Sequence, residues 1–162
     1  MAASNPVHVV ILPFPAHGHI KPMLMLADLF TGAGLSVTFV NTEHNHRRIA
    51  DHRRRRPAVE FLPIPDGLPP DHPRSGLSII DLCSSIVAAG GPALKTLVAS
   101  MRPAPACIIS DGMMSFAVDV AEEVGVPAVA FRTYSATCTW TTLHLRRIVE
   151  DGEIPISLGN LI

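Results

Sequence analysis

With 162 residues, 48% of them apolar and 17% charged, the chain is long enough to bury one core without disulfide staples and too apolar to stay disordered. Its net charge of −1 gives no global field for nucleic acid or anionic lipid. Cys83, Cys107 and Cys138 are odd in number and set in apolar surroundings, so they read as buried free thiols of a cytoplasmic protein, and no membrane span is expected.

Residues 7–12 are a short apolar run bounded by Pro13, too short for a secretory signal. Over 22–30, Met23, Leu26, Ala27 and Phe30 recur at helical spacing until Gly32 and Gly34, which gives strand, turn and helix. A second strand follows over 35–40, a polar helix or helical loop over 44–56, and a third strand over 59–62. The Pro-rich PIPDGLPPDHP segment then predicts an exposed loop. Over 77–99, Ile79, Ile80, Cys83, Ile86, Val87, Leu94, Leu97 and Val98 keep a helical stripe that Gly90, Gly91 and Pro92 interrupt, which predicts a broken helix or a pair. A fourth strand over 106–109, a helix over 115–124, a fifth strand over 128–131 and a last helix over about 135–150 complete the chain.

Strands alternating with helices imply right-handed crossovers and a Rossmann-like, doubly wound parallel α/β sheet in the order 3-2-1-4-5. In that order strands one and four are neighbours, and the chain reverses its direction of growth between them. The crevice at their carboxyl ends is where ligands bind in such folds.

His19, in the stretch PAHGHIKP, and Asp111, in IISDGMM, follow those two strands. A histidine at such a turn can act as a general base, and a carboxylate bonded to its far nitrogen would fix the tautomer and stabilise the imidazolium that forms. Each residue also has a duller reading, His19 as a turn decoration and Asp111 as the cap of the helix after it. The turn after strand one holds a single glycine, Gly18, which disfavours a nicotinamide or flavin pyrophosphate site.

His17 and His19 form an H-x-H pair, with His8, His44 and His46 elsewhere, but no ligating Cys or Glu accompanies them at a known spacing, so no metal is expected. The run Arg53, Arg54, Arg55, Arg56 lacks interleaved aromatics and reads as a solvated helix face, not a nucleic-acid site. Met113 and Met114 line a pocket or fill core, with at least one in the core.

The segments HVVILPFPAHGHIKPMLMLADLF, VTFVNTEHNHRRI and IISDGMMSFAVDVAEEVGVPAVAF resemble, over nearly the whole chain, the N-terminal half of a plant UDP-dependent glycosyltransferase of small molecules. Members more often carry Gln at the position of His17 and Asn at that of Lys21. The resemblance implies one half of a GT-B architecture, in which two Rossmann-like domains face each other across a cleft. It also implies that His19 deprotonates an acceptor hydroxyl, that Asp111 orients and charges it, and that the oxygen displaces UDP from the anomeric carbon with inversion. The implied donor is a UDP-sugar, UDP-glucose foremost, with no permanently bound cofactor.

The implied acceptor is a small hydrophobic hydroxylated molecule such as a terpenoid or phenolic, lined by Phe14, Gly18, Met113, Met114, Tyr134, Ser135, Thr137 and the helix beginning near Leu77. The family's tryptophan-, histidine- and glutamate-containing sugar-nucleotide signature has no counterpart, the only tryptophan being Trp140. Residues 1–162 are therefore expected to form an incomplete N-terminal acceptor-binding domain that needs a C-terminal UDP-sugar-binding domain in cis or in trans. The rivals are a non-catalytic small-molecule-binding module and, more remotely, a metal-dependent hydrolase.

Overall fold

The computed structural model describes residues 6–74 and 78–154. A five-stranded parallel sheet is built from β1 (His8–Leu12), β2 (Ser36–Thr42), β3 (Val59–Ile64), β4 (Cys107–Asp111) and β5 (Ala128–Phe131). Its order is β3-β2-β1-β4-β5, the doubly wound order expected from the alternation of elements. The connecting helices are α1 (His17–Gly32), α2 (Glu43–Arg48), α3 (Ala50–Arg54), α4 (Ile79–Ser100), α5 (Phe116–Val124) and α6 (Ala136–Glu150).

The continuous apolar runs of the central strands β1 and β4 are explained by burial on both faces. Successive side chains of a strand point to opposite faces, so Val9 and Ile11 of β1 meet Met23, Leu24 and Ala27 of α1, while Val10 and Leu12 meet Leu82, Ile86 and Leu94 of α4 and Phe116 of α5. Each fully buried Leu or Ile contributes roughly 1.5–3 kcal/mol relative to exposure. The central pairing sets the site: Leu12 lies opposite Ser110, so the chain leaves β1 and β4 at one edge.

Helix α1 starts at His17, one turn and more before Pro22. Pro22 lacks the N–H that would bond the Gly18 carbonyl, but Gly18 is exposed and water can serve that oxygen. His19 therefore sits in the first turn of the helix. The polar helix after β2 is divided in two at Ile49, whose side chain turns into the core at 7% exposure. The arginine run is also not a uniform solvated face: Arg56 grips both oxygens of Asp28 on α1 at 2.7 Å, while Arg54 pairs with Asp51.

The Pro-rich segment after β3 is mostly exposed loop, as expected, with Asp66 the exception. Asp66 is buried and receives Arg74 Nε at 2.9 Å and Nη2 at 3.0 Å, with the Leu68 N–H at 3.0 Å. Arg74 also donates to the carbonyls of Leu68, Pro69 and His72, bonds that hold it in the left-handed region at φ 47. An internal ion pair thus ties the loop together, which prolines and glycines alone do not reveal.

Helix α4 is one continuous helix, not a broken one; its expected start at Leu77 lies outside the described residues. A Cβ at Gly90 would stand 3.2 Å from Ile86 Cγ1 and 3.4 Å from the Pro65 carbonyl, so the small residue admits the loop backbone. Pro92 frees only the Ala88 carbonyl, on the exposed side. By length and composition α4 could cross a membrane, but its Leu82, Ile86, Gly90, Leu94 and Val98 stripe is buried against the sheet and α5.

Helix α5 ends at Gly125, whose φ of 71 is the left-handed C-cap conformation. At the far edge, Val129 of β5 and Trp140 and Leu143 of α6 are exposed. Cys138 on α6 is exposed too, and Cys83 and Cys107 are half-buried, so the thiols are free but not the fully buried set expected.

Candidate active site

Two side chains 92 positions apart in sequence meet at the β1/β4 edge. His19 Nδ1 lies 2.8 Å from Asp111 Oδ2, with the carboxylate fully buried and the imidazole 22% exposed. Asp111 ends β4 and is itself held by the turn that follows. Its Oδ1 accepts the Met113 N–H at 2.9 Å, and its carbonyl accepts the Met114 N–H at 2.8 Å. Asp111 is not the cap of α5, whose N-cap position is Ser115; one of its oxygens shapes the turn that leads there and the other faces the imidazole. His19 is no turn decoration, since its ring nitrogen is engaged across the sheet edge.

Thr133, two residues beyond β5, completes the arrangement. Its Oγ1 lies 2.8 Å from His19 Nδ1 and 3.2 Å from Asp111 Oδ2. An ionised carboxylate can only accept, so the consistent assignment puts the proton on Nδ1, bonded to Asp111, and turns the Thr133 hydroxyl hydrogen toward the same carboxylate. Nε2 then carries a lone pair, and among the described residues it has no protein partner. The Phe14 ring meets the imidazole edge to face at 5.3 Å and packs one side of it.

Sequence reasoning named the neighbours of Thr133 but not Thr133 itself. The signal was the pairing of Asp111 with Phe131 at the end of the β4/β5 ladder, which puts the residues just after Phe131 beside Asp111. Arg132 was missed as well. A Cβ at Gly112 would fall 2.5 Å from Arg132 Cδ and 2.6 Å from its Nε, so Gly112 makes room for that side chain, which hydrogen-bonds the Tyr134 hydroxyl and lies 5.6 Å from the ring centroid.

The residues expected to line an acceptor pocket are divided. Phe14 touches His19, and Met113 is 39% exposed just after Asp111. Met114 is 1% exposed and packs with Phe116 and Val120 in the core, so it cannot present a side chain to a ligand there. Gly18 is exposed with open space where a Cβ would stand. Tyr134 is half-buried against Arg132, while Ser135 caps α6 by accepting the Cys138 N–H at 3.2 Å and Thr137 lies exposed in its first turn.

A cavity of about 570 Å³ is not lined by His19 or Asp111 but shares Phe14 as a wall with the imidazole. Ile20, Leu24, Leu82, His44, Arg48 and Lys21 are among its other walls. His44 is held below the usual histidine range by burial and then by the Arg74 and Arg48 guanidiniums.

The histidines noted in the sequence are dispersed. His8 bonds Thr38 Oγ1 at 2.8 Å at the amino end of the sheet, and His44 takes a bond from Arg48. Among the described residues no three His, Cys, Asp or Glu side chains are grouped so as to hold a metal ion.

The fold is a doubly wound α/β domain that brings a histidine and a buried carboxylate together at its switch point, the place where such folds bind ligands. Comparison with known proteins gives the family. The family described as "Glycosyltransferase, N-terminal domain" matches residues 5–155, and this chain belongs to it.

Among curated relatives, the chain is 41% identical over 169 residues to a 7-deoxyloganetic acid glucosyl transferase of Catharanthus roseus, covering 96% of this chain and 35% of that protein. It is 42% identical over 159 residues to UDP-glycosyltransferase 85A5 of Arabidopsis thaliana, covering 92% and 33%. The chain thus spans about a third of the length of the curated relatives it matches. A UDP-bound structure of UDP-glucose:anthocyanidin 3-O-glucosyltransferase superposes with a TM-score of 0.73 at 23% identity, covering 93% of this chain and 35% of that one. The fold is that of one half of a GT-B architecture.

Proposed function

We propose that this chain is the acceptor-binding, base-carrying part of a UDP-sugar-dependent glycosyltransferase, which moves a sugar, glucose in our reading, onto a hydroxyl of a small hydrophobic molecule. The observation that carries the proposal is the 2.8 Å contact between His19 Nδ1 and the buried Asp111 carboxylate. With Nδ1–H spent on Asp111, the Nε2 lone pair takes the proton of the acceptor hydroxyl. The freed oxygen bonds the anomeric carbon, and the bond to UDP breaks on the opposite side, its electron pair leaving with the diphosphate. One displacement inverts the centre.

Asp111 stabilises the imidazolium while the proton is held. A nucleoside diphosphate is already a good leaving group, so a base is what the acceptor side must supply, and a positioned base is worth about 10² to 10⁴ in rate. The curated relatives named as glucosyltransferases support the reaction class, and the relative named a UDP-glycosyltransferase supports the donor. The acceptor is a hydroxylated terpenoid or phenolic, bounded by Phe14, Gly18, Met113 and Tyr134, and the donor-binding domain is supplied in cis or in trans. The unpaired thiols support a cytoplasmic setting.

The test is a glucosylation assay with UDP-glucose on the chain joined to a C-terminal domain of the family, beside calorimetry of the chain alone with phenolic and terpenoid alcohols. Acceptor binding with inverted glucoside product supports the proposal. Binding without turnover by the joined protein would make the chain a non-catalytic binding module.

A further inference from the structure

The cavity next to the proton-transfer site carries charge that the proposed reaction does not use. Phe14, Ile20, Leu24 and Leu82 give it an apolar body, and Lys21 and Arg48 stand on its wall. Among the described residues neither cation has a carboxylate partner. Asp66, also on the wall, cannot neutralise them, since both its oxygens are taken by Arg74. Arg48 Nη1 donates instead to His44 Nε2 at 3.1 Å, a bond that requires an unprotonated acceptor nitrogen and steadies the guanidinium at the cavity. A chamber of mixed lining, with an apolar side and two cations without a carboxylate at its wall, is complementary to an amphiphilic anion.

We infer that this cavity receives the carboxylate of a hydroxylated hydrophobic acid, held by Lys21 and Arg48, while the apolar skeleton lies along Phe14, Ile20 and Leu24 and the hydroxyl faces His19. The inference rests on the reading of this chain as the acceptor-binding part and narrows its acceptor class from neutral alcohols to acids. Phe14 is the wall common to the two sites, its ring against the imidazole on one side and the cavity on the other. A nucleotide diphosphate shares the oxyanion chemistry, but the buried apolar walls suit a hydrophobic skeleton better than a ribose.

The test is calorimetric titration of the chain with 4-hydroxycinnamic acid, its methyl ester and UDP, repeated on Lys21→Gln and Arg48→Gln. Both side chains are exposed, so the variants should fold, which circular dichroism verifies. The acid should bind about tenfold or more tightly than the ester, as a charge-assisted bond allows, and each variant should shrink that ratio toward one. Acid and ester binding equally well would overturn the anion site and leave the acceptor reading standing. UDP competing with the acid, and weakened by the same variants, would assign the cavity to the nucleotide and overturn the inference. Binding of neither probe would remove the acceptor reading and the inference together.

Discussion

Thr133 Oγ1 stands 2.8 Å from His19 Nδ1, on the same side of the ring as the Asp111 carboxylate. The threonine touches no reacting atom in the proposed mechanism; it is a positioning residue that shares the Nδ1 proton and fills a second acceptor site on Asp111. We predict that Thr133→Val lowers kcat of the joined enzyme about five- to tenfold, the worth of one hydrogen bond, with little change in KM. Thr133→Ser should restore it. Loss of KM and kcat together, or no rescue by serine, would mean the residue only packs.

The tautomer is open to direct measurement. In the neutral form of His19, nitrogen-15 shifts should report a protonated Nδ1 and a bare Nε2, and Asp111→Asn should disturb that assignment, because an amide can offer its NH₂ to the ring instead. In turnover the same variant should cost up to about 10⁴, as loss of the orienting carboxylate does in other histidine-dependent enzymes. A proton on Nε2 in the unaltered protein would contradict the geometry.

Stability offers a check away from the site. Asp66 and Arg74 have side chains 6% and 8% exposed, so Asp66→Asn leaves a buried guanidinium uncompensated and should cost about 3–5 kcal/mol in chemical denaturation. Burial alone would raise the Asp66 carboxyl, but the Arg74 hydrogen bonds and the Leu68 N–H outweigh it and hold it below the ordinary range. A depressed carboxyl stabilises the fold above its unfolded value, about 3.9, and loses that contribution as pH falls through the folded value. The gap between the two proteins should therefore be full at neutral pH and narrow below about pH 4. A gap independent of pH would refute the ion pair.

Topology was legible in the sequence because parallel βαβ units leave few choices: Val9 to Leu12 and Ile108 to Ile109 could only be buried strands, and alternation with helices fixed their order. His19 and Asp111 were legible for the same reason, each following a strand at the switch point. What was hidden depended on contacts with no periodicity. Pro22 looked like the start of a helix and the Gly90, Gly91, Pro92 run like a break in one, yet both lie inside continuous helices, where each proline leaves a carbonyl of an exposed residue to water. The pairing of Asp66 with Arg74 had no signal in the sequence, because only the folded loop brings them together. Met114 and Met113, adjacent in sequence, go to the core and to the surface, a difference made by the Asp111 turn.

The central claim is that the imidazole of His19 removes the acceptor proton. Its most direct test is turnover of the joined enzyme with His19→Ala, with UDP-glucose binding measured on the same preparation. The account predicts that glucoside formation falls by at least about 10² while donor affinity stays within a few-fold of the original. Turnover at the original rate would contradict it.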